Sequence, residues 1–170
     1  MVGEFRVDSY RFLPRSFRPA FESFPEQPVT VSAARPRVPL PQARVALLTS
    51  AGLYLEGRQQ PFDLERERRE PRWGDPTFRE IPRDARQDEI GMAHLHLSAD
   101  DVLQDFNIAL PIDAFAALER EGAFGSLAQR HYSFMGYQGE STRAWEEEQG
   151  PELVRRLEED RVDLLILAPA

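Results

Sequence analysis

Two short aliphatic runs, Arg44–Ser50 (RVALLTS) and Val162–Leu167 (VDLLIL), constrain this chain more than anything else in it. Neither alternates apolar with polar residues, as a strand with one wet face would. Near-continuous apolarity suits strands covered on both faces, which is the condition of a parallel sheet. Parallel neighbours need crossovers of a dozen or more residues, and the stretch between the two runs carries helical patterns. The expectation is an α/β layered fold with a largely parallel sheet. A length of 170 residues fits one such domain, assigned here to residues 44–170.

Residues 1–43 read differently. Prolines and spaced aromatics (Tyr10, Phe12, Phe17, Phe21, Phe24) describe a Pro/aromatic-rich N-terminal arm that packs its rings on the domain or on a partner, with a short helix around Pro19–Phe24. Beyond the first strand, residues 56–76 form a polar loop or a short exposed helix. Thr77–Ile81 and Ala93–Leu97 are further strand candidates. Ser98–Asp101 reads as a capping box with Leu97 and Val102 as its staple. Pro111 opens a helix with Ile112, Phe115, Ala116 and Leu118 on one side, closed by Gly122. Pro151–Asp160 is the last helix, with Leu153, Val154 and Leu157 as its buried stripe. No internal repeat is visible.

Composition removes several function classes. The net charge of −8 disfavours a general nucleic-acid or anionic-membrane binder. With no cysteine, disulfides, thiolate metal sites and a cysteine nucleophile are absent from these residues. All 21 basic residues are arginine, which a GC-rich genome explains, and no lysine is present for a Schiff base. No apolar run approaches the ~20 residues of a spanning helix. The charged, proline-broken N-terminus does not resemble a signal peptide. A cytoplasmic location is expected.

Three clusters carry chemistry. His94 and His96 would share a face of a strand, near Asp100, Asp101 and Asp105, as zinc or iron ligands do; hydrogen-bonded strand histidines look the same, and that reading is preferred. Asp105 and Asn107 either hold a loop locally or orient a substrate, the former being preferred. Arg130–Tyr137 (RHYSFMGY) is the most unusual segment. Arg130 suits a carboxylate and His131 a proton transfer, while a strand with aromatic packing accounts for the same residues equally well. Ser133 with His131 makes poor triad geometry, and the glycines assemble no phosphate-binding fingerprint. Finally, VDLLIL is followed only by Ala168-Pro169-Ala170, where an α/β enzyme would begin an active-site loop. Such an apolar terminal strand also invites self-association, so a homo-oligomer is among the expectations.

The blocks RVALLTSAGLYLEGRQQPFD, GDPTFREIP, DVLQDFNIALPID, GSLAQRHYSFMGYQG and VDLLILAPA, with a fainter match in YRFLPRSFRP, resemble the selenoprotein B family of glycine, sarcosine, betaine and D-proline reductases. The resemblance implies reductive cleavage of a small amine or amino acid, with electrons from a dithiol or thioredoxin-type donor. It implies a bacterial multi-subunit complex with a pyruvoyl group on a partner subunit. It also implies a selenocysteine, or a cysteine, directly after the segment matching LLILAPA, followed by a Pro-Val-Cys-His-like stretch. UGA, which encodes selenocysteine, is commonly read as a stop. Ala170 is therefore expected to precede such a codon, leaving the domain incomplete and inactive alone. On the family's blocks, His131 and Arg130 are the candidate catalytic residues, and Asp105, Asn107 and Tyr132 the candidate substrate contacts. A non-catalytic binding or assembly protein with this fold is the alternative, and a metal hydrolase at His94 and His96 a third.

Overall fold

Strand β1 (Arg44–Thr49) is the axis of the sheet in the computed structural model, which describes Pro19, residues 36–95 and residues 97–170. Of the N-terminal arm, residues 1–18 and 20–35, and with them all but Pro19 of the helix expected around Pro19–Phe24, lie outside the described residues; its last residues carry a 3-10 turn at Leu40–Gln42. Five of the six β1 residues are buried, as the unbroken apolar run predicts.

One edge of β1 pairs with two short strands laid end to end. Val45 is in parallel register with Leu127 of β5 (Ser126–Leu127), and Leu48 with Tyr132 of β6 (Arg130–Phe134). The other edge carries β7 (Leu164–Ala168), parallel from Val45↔Leu164 to Thr49↔Ala168. Strand β3 (Phe78–Pro82) pairs antiparallel with β6 and closes the far side. Its terminal Pro82 is tolerated because β3 is an edge strand. The sheet is therefore mixed but largely parallel, and the fold is α/β as expected.

Alternation along β1 divides the core. Val45 and Leu47 face a large cluster with Ile81, Leu127, Phe106, Leu110 and Ile112. That layer is built from the antiparallel ribbon β2 (Leu53–Leu55) and β4 (Ile90–Met92), and from helices α2 (Asp100–Gln104) and α3 (Ile112–Arg120). Leu48 faces the opposite side, where it meets Tyr132, Leu153, Leu157 and Trp145. These last three come from helix α4 (Gly150–Glu159) and the π turn Trp145–Gln149 before it. Pro151 has no N–H to donate, and the Gly150 amide reaches back to Trp145 instead, which is the wide turn observed. At its other end α4 stops in a Schellman motif. The Arg161 and Val162 amides donate to Glu158 and Leu157, with Arg161 left-handed at φ 55°.

Three local expectations are corrected, and residues 56–76 take the helical form of the two that were open. The strand expected at Ala93–Leu97 lies earlier, at Ile90–Met92, because it pairs with the three-residue β2 and is spent by Ala93. Gly91 belongs to that strand because the Tyr54 ring lies over it, leaving no space for a Cβ. The box at Ser98–Asp101 does not form: Ala99 is the N-cap and makes no side-chain bond. Residues 56–76 contain one short helix, α1 (Leu64–Arg69), capped by Asp63 accepting from the Arg66 amide. Val154 points outward, half-exposed, while Leu153 and Leu157 hold α4 to the sheet.

Candidate functional site

In open α/β sheets ligands bind beyond the carboxyl ends of the strands, and there the chain has a cleft of about 520 Å³. Its floor is Leu48 and Ser50 at the end of β1. One wall is Phe134, Gly136 and Tyr137 leaving β6, another is Leu167 to Ala170 leaving β7, and His94 completes it from the loop after β4.

The walls are fixed by backbone contacts. Residues 71–75 clasp the segment carrying Tyr137. The Tyr137 hydroxyl donates to the Pro71 carbonyl at 2.8 Å and the Gly74 amide to Ser141 Oγ at 3.3 Å. The Gln138 amide group donates to the Asp75 carbonyl at 3.1 Å. Gly52, at φ 68°, lets the chain turn from β1 into β2 while its carbonyl accepts from the Ala93 amide, which sets the loop bearing His94. The Ala170 amide donates to Ser50 Oγ at 2.9 Å.

A second hollow of about 320 Å³ lies at the amino ends of β1 and β5. Its charges are satisfied within the fold: Arg83 binds Glu119 and the Leu127 carbonyl, and Arg44 binds Ser126 and the Asp160 carbonyl. It is a polar seam, and the carboxyl-end cleft is the better candidate.

The five residues singled out on the family's blocks do not converge, and none lines the cleft. Arg130 sits at the opposite end of β6, where its guanidinium forks onto the Asp160 carboxylate at 2.7 and 2.8 Å. Asp160 holds it firmly protonated. His131 is fully buried, and its Nδ1 accepts the Leu47 amide at 3.2 Å. Leu47 lies in β1 at the break between β5 and β6, so the imidazole replaces a missing strand partner. Burial first, then the nearby Arg83 charge, push its pKa down to about 4, so the ring is neutral at pH 7. Tyr132 is buried on the α4 side, edge-on to Phe78 at 5.8 Å, and burial pushes its phenol up to about 12. Asp105 accepts the Asn107 amide at 3.0 Å, and Asn107 Oδ1 accepts the Asp113 amide at 2.8 Å. That pair staples the loop to the start of α3. Ser133, also buried, accepts the Leu53 amide at 2.7 Å.

His94 is the candidate that does reach the cleft. It lies in a loop, so the shared strand face that paired it with His96 does not exist, and His96 itself is outside the described residues. Among the described residues no three His, Cys, Asp or Glu side chains cluster as a metal ion requires. Sequence reasoning passed over Ser50. The rule that active residues follow the carboxyl ends of parallel strands points directly at it, once β1 is recognised as central.

Comparison with known proteins decides the family. Residues 21–170 match the family described as glycine/sarcosine/betaine reductase selenoprotein B. The chain belongs to that family. It is also 36% identical over 123 residues to D-proline reductase subunit gamma of Acetoanaerobium sticklandii, covering 72% of this chain. The alignment takes in 47% of the relative, so the chain spans about half the length of the curated protein it matches. No solved structure gives a significant match. The family match takes in both the cleft and the β7 segment that ends beside it. Among the described residues no helix is long and apolar enough to cross a membrane.

Proposed function

We propose that this chain supplies the nucleophile-bearing cleft of a selenoprotein B-type reductase, a cytoplasmic enzyme that reductively cleaves a small amine or amino acid. The observation that supports the reading is the course of β7. This strand brings Ala168–Ala170 into the wall of the carboxyl-end cleft, and the family resemblance puts a selenocysteine or cysteine directly after that segment.

The residues present fit such a group. Leu48, Phe134 and Leu167 give apolar walls, and Ser50 and His94 give a hydroxyl and an imidazole. A selenolate or thiolate there would supply nucleophilic and redox chemistry. The chain's own residues divide the remaining work. His94 is the lining side chain whose ring nitrogens can give or take a proton. Tyr137, anchored through its hydroxyl to Pro71, shapes the rim. Cleavage of a carbon–nitrogen bond consumes two electrons and two protons. A dithiol yields both on becoming a disulfide, and carbon and nitrogen each gain one hydrogen. The cleft has neither carboxylate nor guanidinium among its lining side chains. By the family resemblance, activation of the amine falls to the pyruvoyl group of a partner subunit, and electron delivery to a thioredoxin-type donor. Arg130, His131, Tyr132, Asp105 and Asn107 act from outside the cleft, by holding the strands and loop that shape it.

The test is to express the gene with its native downstream sequence and co-encoded subunits. The purified complex is then assayed with D-proline, glycine, sarcosine and betaine, using a dithiol as donor. Substrate-dependent dithiol oxidation that falls at least tenfold in His94→Gln is expected. A complex that cleaves none of these, or a His94→Gln form with unchanged rates, overturns the reading.

A further inference from the structure

The parallel ladder between β1 and β7 ends at Thr49↔Ala168. It cannot continue in the ordinary way, because the next residue of β7 is Pro169, which has no N–H to donate. The chain nevertheless stays on β1 beyond the proline. Ser50, the first residue after β1, binds Ala170 with one hydroxyl: Oγ accepts the Ala170 amide at 2.9 Å and donates to its main-chain oxygen at 3.3 Å. Ser50 itself is buried, and both of its bonds to Ala170 are partly buried at the cleft. The end of β6 comes in against it as glycine. A Cβ on Gly136 would lie 3.3 Å from Ser50 Cβ and 3.4 Å from Oγ, a tight contact that a glycine avoids.

We infer that Ser50 is a positioning residue, which holds the backbone leaving β7 so that the residue after Ala170 is delivered at the cleft. Consecutive Cα atoms are about 3.8 Å apart. Fixing both main-chain polar groups of Ala170 therefore keeps the next residue at the cleft lined by Ser50, Gly136, Tyr137 and His94. This assignment rests on the reductase reading above, in which that next residue is the nucleophile. It adds that a side chain from a different strand aims it.

Thr and Val at position 50 have the same shape and differ by the hydroxyl, so Ser50→Thr and Ser50→Val separate hydrogen bonding from packing. A cysteine appended directly after Ala170 serves as the probe, and its alkylation by iodoacetamide is followed against pH. Circular dichroism and urea midpoints establish that each variant is folded. The parent and Ser50→Thr are expected to share a rate–pH profile distinct from that of a free cysteine peptide. Ser50→Val is expected to move at least threefold toward the peptide. In the chain without the added cysteine, the Ala170 amide is expected to exchange about tenfold faster in Ser50→Val than in Ser50→Thr, as loss of one hydrogen bond predicts. Coincident profiles and exchange rates for the Thr and Val forms overturn the assignment. That outcome leaves the reductase reading intact, and a failed reductase assay leaves the tether measured here intact.

Discussion

Acid should unfold this chain partly through one buried ring. His131 has a folded pKa of about 4 against 6.5 for a solvated imidazole. Because the folded value is depressed, the unfolded chain takes up the proton first as pH falls. The neutral ring's contribution is fully present above pH 6.5 and is lost between 6.5 and 4. At 1.36 kcal/mol per pH unit between the two values, complete charging costs roughly 3 kcal/mol, of which about 2.5 kcal/mol is gone by pH 4.5. A positive charge would also deprive the Leu47 amide of its acceptor. His131→Asn keeps an oxygen near the place of Nδ1 and removes the titration. It should cost about 2 kcal/mol at pH 7.5 for the smaller side chain, with little further change that the parent does not share. Urea unfolding followed by the fluorescence of Trp73 and Trp145 at pH 7.5, 6.0, 5.0 and 4.5 gives both curves. The difference between them isolates His131, since carboxylate titrations are common to both proteins. The parent should lose about 2.5 kcal/mol more than His131→Asn between pH 7.5 and 4.5. Parallel curves would refute the argument.

Other consequences are sharper still in sign. Arg161 occupies the left-handed position that ends α4, so Arg161→Gly should raise stability by about 1 kcal/mol in urea unfolding; a loss would mean the side chain has a role the helix end does not require. Glu119 is held below the usual carboxylate range, chiefly by its hydrogen bond to Arg83, and also accepts the Leu127 amide at 2.9 Å. Its stabilisation is present above the unfolded carboxylate pKa and is lost as pH falls through the lowered folded value. Glu119→Gln should cost about 2 kcal/mol at pH 7, a cost that shrinks on acidification. Gly52→Ala drives a Cβ into the Ala93 carbonyl oxygen at a positive φ, so it should lower stability by about 3 kcal/mol and loosen the His94 loop, seen as faster amide exchange there.

The elements legible in the sequence are those whose burial is periodic over many residues. β1 was readable because both its faces are covered and nearly every residue is aliphatic; β7 was readable by its aliphatic run alone, since the burial expected of it fails at Ile166 and Leu167, which stay exposed. α3 and α4 were readable because Ile112 with Phe115 and Leu153 with Leu157 recur at helical spacing. The β2–β4 ribbon was not, because each strand has three residues and one of them, Gly91, is there only to admit the Tyr54 ring. The candidate site was hidden for a different reason. RHYSF looks catalytic because it gathers an imidazole, a phenol and a hydroxyl, yet in mid-strand these groups point into packed layers. His131 and Ser133 take backbone amides of Leu47 and Leu53 where the regular ladders break. Whether a polar side chain serves a reaction or an orphaned amide depends on where the neighbouring strand ends. That is a tertiary fact, absent from the spacing of residue types. Ser50, by contrast, is an ordinary residue made special only by the strand that arrives beside it.

The central claim is that this cleft receives a chalcogen nucleophile from the chain leaving β7. Reading the codons that follow Ala170 in the gene tests it most directly. The account predicts a UGA or a cysteine codon at the next position, with an open frame continuing into a Pro-Val-Cys-His-like stretch. A UAA or UAG, or an in-frame codon for any other residue, would contradict it.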